Sequence, residues 1–164
     1  MHLGRIELKL TSPPPPPSST AGGLAVVGAH GGAGASTLAA TLGPSARDLG
    51  TIHPGLAVTA NEPLILAARG TVAAARHATD AVRVLHENGV SVAVLAVIGD
   101  GLPEPQDATA RFVLLEGLVG GVVRVPFLTA LRLVDDPTRA VLSPRAQRAL
   151  NQILALAAEQ ASHA

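Results

Sequence analysis

Cysteine, tryptophan and tyrosine are absent from this sequence, and it has only two phenylalanines and one methionine. Without cysteine the chain forms no disulfide and offers no thiolate to a metal or a substrate. Without large aromatic side chains its core must be built from alanine, valine, leucine and isoleucine. These absences exclude disulfide scaffolds, cysteine-dependent enzymes and cysteine-ligated zinc sites.

An excess of charge of either sign is also absent, because 12 basic and 12 acidic residues cancel. Without a run of one sign, the chain lacks the basic patch expected of a nucleic-acid-binding protein or a membrane anchor. Neither a signal-peptide pattern nor an uninterrupted apolar run of about 18 residues is found. We therefore expect a cytoplasmic protein with no membrane segment and no direct contact with nucleic acid. Interleaved acidic residues predict a solvated surface for Arg132, Arg139, Arg145 and Arg148.

The N-terminal part is predicted to be an appendage to a single domain. Residues Arg5 to Leu10 alternate charged and apolar side chains, which predicts a short edge strand. The segment Ser12 to Thr20 is a proline run with serine ends, typical of a polyproline II linker, with an SH3-type ligand as the alternative. We therefore divide the chain into a segment with a flexible proline-rich linker, residues 1–22, and a domain, residues 23–164.

From Gly23 onward, apolar strands and amphipathic helices alternate. Apolar runs predict strands buried on both faces at Leu24–Val27, Leu64–Ala67, Val90–Ile98 and Val122–Val125. Helical patterns predict helices at Ser36–Leu42, Thr71–His86, Asp107–Leu118 and Ser143–Gln160. Thr71 and Ser143 are expected N-caps, and the pair Asn88-Gly89 is expected to end the second helix. Helical connections between strands predict an α/β fold, a three-layer sandwich on a mostly parallel sheet.

The glycine-rich stretch after the first buried strand carries the functional argument. It joins a strand to a helix start, where free backbone amides and the helix dipole can point at one phosphate. In a P-loop a lysine also reaches the terminal phosphate, and the next Ser or Thr binds Mg²⁺. Aligned by its glycines, this loop has Ala35 at the lysine position and Ser36 at the magnesium position. The candidate nucleotide-binding residues of the loop are His30, Gly31, Gly32, Gly34, Ala35, Ser36 and Thr37.

The residues HGGAGAST resemble the deviant P-loop KGGxGKTT of the MinD and ParA group of SIMIBI-class ATPases. The resemblance implies a trimmed P-loop NTPase-like fold, ATP or ADP with Mg²⁺ as the ligand, and a homodimer or an active relative as the partner. In that family one lysine lies inside the loop and a signature lysine lies near its start. This sequence has Ala35 and His30 at those places, and Ala29 replaces the family's opening glycine.

The second half of the chain resembles the same family. Residues 63–101 are similar to a late strand, a long helix and the next strand, which in the family usually ends in an asparagine that reads adenine. Asp100 stands at or beside that position and is a further candidate for base contact. Residues 120–137 are similar to the final strand and the turn after it, with Phe127 retained and Leu128 in place of an aspartate.

The stretch in which the family places two further strands is short in this sequence. Those strands carry the aspartate that activates water and the Walker B aspartate that holds Mg²⁺. Residues 43–62 are too few for two crossovers, and Asp48 is the only aspartate among them. Because no apolar strand leads into it, we interpret Asp48 as a charge at a helix end. The charges on which catalysis in this class depends are therefore missing.

These losses leave three hypotheses for the function. The first is a catalytically degenerate P-loop protein that binds nucleotide or a partner in a partition, conjugation or secretion system, as the resemblance implies. In it, nucleotide could bind weakly through backbone amides, Ser36 and an arginine such as Arg69. The second is a weakly active, lysine-free ATPase or GTPase. The third is a structural interaction module, in which the glycines form a turn, Ser36 and Thr37 cap the helix, Asp100 stabilises its own loop and His30 faces solvent.

Overall fold

The computed structural model describes residues 9–11 and 23–163 of the chain. Apart from residues 9–11, the segment predicted at residues 1–22 lies outside the described residues, and so does most of the predicted strand at Arg5 to Leu10. The division into an N-terminal segment and a domain stays a prediction.

Four α-helices and seven strands are found in the described part of the chain. The helices are α1 (Ala35–Leu42), α2 (Val72–Glu87), α3 (Gln106–Leu115) and α4 (Pro144–His163). The strands are β1 (Lys9–Thr11), β2 (Leu24–Gly28), β3 (Ala46–Thr51), β4 (Ala57–Thr59), β5 (Leu64–Arg69), β6 (Val92–Ile98) and β7 (Val122–Val125). Two 3₁₀ turns, Thr129–Leu133 and Pro137–Arg139, lie between β7 and α4.

Five of the strands form one parallel sheet in the order β3-β2-β5-β6-β7. The inner strands β2, β5 and β6 are aliphatic along almost their whole lengths because both of their faces are covered. On one face α2 and α3 supply Leu85 and Phe112 to the core, and on the other α1 and α4 supply Leu38 and Ile153. The structure is therefore α/β with helices on both faces of a parallel sheet, as the three-layer prediction requires.

The helix ends follow the signals read from the sequence. Thr71 Oγ1 accepts a hydrogen bond from the Ala74 N–H at 3.2 Å, and Ser143 Oγ accepts one from the Ala146 N–H at 3.2 Å. The helix α2 ends at Glu87, and Gly89 follows with a φ of +73°, which favours glycine. The predicted caps and the predicted helix stop are confirmed.

Sequence reasoning missed two strands, β3 and β4, of which β3 belongs to the main sheet. The strand β3 pairs with β2 alone, at the sheet edge, and its Arg47 and Asp48 are exposed, so no apolar run marks it. The interpretation of Asp48 as a helix-end charge is wrong, because Asp48 lies inside this strand and its carboxylate accepts the Gly50 N–H at 2.9 Å. Residues 43–62 thus supply one edge strand of the main sheet.

The described part of the N-terminal strand pairs away from the main sheet. Lys9–Thr11 runs parallel to Ala57–Thr59, with Leu10 opposite Val58, in a separate two-stranded sheet. This strand therefore adds to β4 and does not extend an edge of the main sheet.

Replacing Gly120 with alanine should destabilise the protein, because the added Cβ would overlap the Ala93 carbonyl oxygen of β6. We expect the free energy of unfolding to fall by about 1–3 kcal/mol in urea denaturation. The matched control is Gly117→Ala, whose Cβ would meet nothing within 4 Å. Equal urea midpoints for the two variants would contradict the close approach of Gly120, which precedes β7, to the backbone of β6.

Candidate functional site

The candidate site lies where the direction of the sheet connections reverses. From β2 the chain passes through α1 on one face to β3, and from β5 it passes through α2 on the other face to β6. In open parallel sheets this reversal opens a crevice at the carboxyl ends of the two central strands, where ligands bind. Here those strands are β2 and β5, followed by the glycine-rich loop and by Gly70.

The loop enters α1 through glycine in the left-handed conformation. Gly34 is the N-cap with a φ of +91°, and Gly32 has a φ of +75°. The interpretation of Ser36 and Thr37 as caps is wrong, because both already lie in the first turn of α1 and no side-chain hydrogen bond caps the helix. The amides of this first turn have no acceptor within the helix and are available to a ligand.

The candidate loop residues do not all face the same environment. Gly31, Gly32 and Ser36 are exposed, whereas Thr37 is half-buried. Ala35, at the lysine position, is only 7% exposed and packs in the core cluster under α1. The first carbon atoms of a lysine side chain at this position would therefore lie in the core and not on the ligand-facing side of the loop.

His30 is half-buried and both of its ring nitrogens are hydrogen-bonded within the chain, so it faces solvent only in part. Its Nε2 accepts the backbone N–H of Arg69 at 3.2 Å, and its Nδ1–H donates to the carbonyl of Gly31 at 2.9 Å. Because a backbone N–H can only donate, Nε2 carries no hydrogen and the proton is on Nδ1. The ring centroid also lies 5.6 Å from that of His77 on α2.

Arg69 is the last residue of β5 and reaches back over the loop. Its Nε donates to the Gly32 carbonyl at 2.9 Å, and its Cζ lies 3.9 Å from where a Cβ on Gly34 would be. The side chain is half-buried, and its two terminal nitrogens have no hydrogen-bond partner among residues 23–163. The guanidinium is therefore held in place by one nitrogen with two nitrogens left for a ligand.

A second arginine lines the same cavity. We call this cavity the arginine cleft; it has a volume of about 240 Å³ and is bounded by Gly34, Thr37, Arg69, Ile98, Phe127 and Arg132, among others. The Arg132 guanidinium lies 5.0 Å from the centre of the Phe127 ring. Arg132 is exposed, as the sequence predicts, but its position at the cleft could not be read from its charged neighbours.

The arginine cleft has an uncompensated positive charge. No carboxylate lines it, and within the described part of the chain neither Arg69 nor Arg132 forms an ion pair. Among residues 23–163 the ion-paired arginines are Arg47, Arg83 and Arg124. A cavity of this kind favours an anionic ligand with an apolar part.

Asp100 lies outside this arrangement. Its carboxylate accepts the Leu102 N–H at 3.0 Å, and its side chain lines a neighbouring depression with Glu104 and Arg124. Burial acts to raise the pKa of Glu104, but hydrogen bonds from Arg124 and Thr109 and the Arg124 charge outweigh it and lower that pKa. The structure therefore brings the loop residues together with Arg69, whereas Asp100 lines the neighbouring depression and not the arginine cleft.

No family model, curated protein or solved structure matches this chain. Among residues 23–163 no group of three or more histidine or carboxylate side chains could hold a metal ion. No helix in the same part of the chain is long and apolar enough to span a membrane. The function of the site has to be argued from its own geometry.

Replacing Gly34 with alanine should destabilise the protein, because a φ of +91° strains any side chain even where space is present. We expect a loss of about 1–3 kcal/mol in the free energy of unfolding, read from thermal and urea melts. Gly31→Ala is the matched control in the same loop, since Gly31 has no left-handed φ and no neighbour within 4 Å of its Cβ position. If both variants have the same melting temperature, the left-handed conformation of Gly34 does not determine the conformation of the loop.

Proposed function

We propose that this protein is a catalytically degenerate P-loop-like protein that binds a nucleotide at the glycine-rich loop and acts through that binding. The observation that carries the proposal is that two arginines without carboxylate partners and the N-terminal turn of α1 line one cleft. In this proposal ATP or ADP is the ligand, with Mg²⁺.

The phosphates would lie between the first turn of α1 and Arg69. Amides of Gly34, Ala35 and Ser36 supply donors of the kind that bind phosphate at helix N-termini. Arg69 supplies the cation that Ala35 cannot, and its half-buried position makes its charge less screened than that of an exposed arginine. Ser36 is an exposed residue of this turn, and in this proposal its hydroxyl binds the Mg²⁺ of the nucleotide.

The rest of the nucleotide would extend along the apolar wall of the arginine cleft. Part of this wall is formed by Ile98, the last residue of β6, and by Phe127 and Leu131, which follow β7. Arg132 over the Phe127 ring adds a flat cationic surface on which a base can stack. Asp100 does not lie there, so base recognition through Asp100 requires a movement of its loop.

Binding without turnover follows from the same set of residues. Phosphoryl transfer needs a positioned water and cations on the terminal phosphate, and no carboxylate lines the cleft to orient that water. A regulatory or accessory role beside an active relative, or in a homodimer, is the function that this chemistry supports. The resemblance to the MinD and ParA group suggests partition, conjugation or secretion as the process.

One observation favours the structural module as a second candidate. The loop is closed by its own bonds, with Ala33 N–H donating to the His30 carbonyl at 3.3 Å and Arg69 bound to Gly32. A loop held in this way keeps its shape without a ligand. A weakly active ATPase or GTPase without lysine remains the third candidate and is separated from the others by turnover.

Neutralising either cleft arginine should weaken nucleotide binding. We expect Arg69→Gln and Arg132→Gln each to lower the affinity for Mg-ATP and Mg-ADP about tenfold in calorimetry, equivalent to about 1.4 kcal/mol. Arg111→Gln is the control, because Arg111 is an exposed arginine on α3 away from the cleft. Failure of the folded wild-type protein to bind either nucleotide would refute the proposal and favour the structural module.

The purified protein should release no phosphate from ATP or GTP above the uncatalysed background, because the cleft has no carboxylate that could orient water. A phosphate-release assay with wild type and Ser36→Ala measures this. Turnover in the wild type that Ser36→Ala abolishes would establish a lysine-free NTPase instead.

A further inference from the structure

The ring of His30 takes the place of a backbone acceptor at the end of the ladder between β2 and β5. The Ala29 N–H donates to the Ala67 carbonyl at 2.9 Å, as the last backbone bond described between the two segments. The next donor along β5 is the Arg69 N–H, which goes to His30 Nε2 at 3.2 Å. A side chain therefore completes the sheet at the residue that carries the cleft guanidinium.

This bond requires the neutral ring. Protonation places a hydrogen on Nε2, and two donors, Nε2–H and the Arg69 N–H, would then point at each other. A histidine beside an anion site ordinarily strengthens binding when it is protonated, because it adds a positive charge. At His30 the two effects oppose each other, and the sign of the pH dependence tells which one dominates.

Other titratable and charged side chains lie around the ring. His30 lies in a crevice on the α2 side of Arg69, which we call the histidine crevice; the polar side chains in its lining belong to His30, Thr51, Arg69, Thr71, His77 and Asp80. Arg69 and His77 are the other basic side chains in this lining, and Asp80 is its one carboxylate. Asp80 also lies 4.0 Å from Arg83, so its charge is shared.

We propose that His30 is a positioning residue for anion binding. As the neutral Nδ1–H tautomer, His30 holds Arg69 against the loop. Protonation of His30 releases Arg69 and lowers the affinity of the site for the anion. Arg69 makes the link, because it lines both the histidine crevice and the arginine cleft and its backbone N–H is bound by His30. The ligand part of this inference rests on the proposed function, whereas the His30–Arg69 contact does not.

The contact is tested without any ligand by NMR of the ¹⁵N-labelled protein. At about pH 8 the imidazole nitrogens of His30 should show the Nδ1–H tautomer, with Nε2 unprotonated. The Arg69 amide resonance should shift as pH falls to about 5.5, in step with the His30 ring. An Nε2–H tautomer at pH 8 would overturn the inference. An Arg69 amide chemical shift that stays constant while the His30 ring shifts would overturn it as well.

The effect on the anion is tested with inorganic sulfate, which keeps its double charge between about pH 5.5 and pH 8. We expect the wild type to bind sulfate about fivefold more weakly at pH 5.5 than at pH 8. His30→Gln, whose amide oxygen can accept the Arg69 N–H, should bind at both pH values alike, and His30→Ala should bind weakly at both. His77→Gln is the matched control from the same crevice and should keep the wild-type pH dependence.

The outcomes separate this inference from the proposed function. If sulfate and ADP bind at pH 8 and bind more tightly at pH 5.5 in a way that depends on His30, the proposed nucleotide site is supported. The positioning role of His30 is then overturned. If His77→Gln loses the pH dependence and His30→Gln keeps it, the effect belongs to His77, and the positioning role of His30 is also overturned. If neither anion binds at pH 8, the proposed function fails, and with it the ligand part of the inference, whatever tautomer the NMR experiment finds.

Discussion

The strand β5 is the element on which the rest of the structure depends. It is hydrogen-bonded along both edges, to β2 and to β6, and its residues from Leu64 to Ala68 are almost completely buried. Such a strand tolerates no polar side chain until it emerges at the carboxyl edge of the sheet. The first residue that emerges is Arg69, so the same constraint that builds the core places a cation beside the glycine-rich loop.

Small side chains make this arrangement compact. Ala74, Ala75, Ala78 and Ala81 bring α2 close to the sheet, and Phe112 is the one large aromatic side chain fully buried in the described core. At the end of β2, His30 lies between Arg69 and His77 of α2, with both ring nitrogens bonded.

Charge is distributed so that only some arginines are available to a ligand. Arg124 is held by two bonds to Glu104, at 3.0 and 3.1 Å, and Arg47 is held by Glu62. These pairs join neighbouring elements at the surface and contribute little to stability individually. Arg69 and Arg132 lie at a cleft without a carboxylate, which makes that cleft the site to which an anion would be attracted.

The sequence by itself determined where the strands β2, β5, β6 and β7 lie, the caps of α2 and α4, and the strand-loop-helix order, because aliphatic runs, caps and glycines act over a few neighbouring residues. Burial on both faces, expected for all four strands, is wrong for β7, which is an edge strand with Arg124 exposed. Only the tertiary structure decided that the polar residues 46–51 form an edge strand, since backbone pairing there needs no apolar pattern. Tertiary packing likewise buried Ala35, bound His30 to Arg69 across 39 residues of chain and brought Arg132 to the cleft. These contacts join residues distant in the chain, and their partners are set by the order of the strands and not by local pattern.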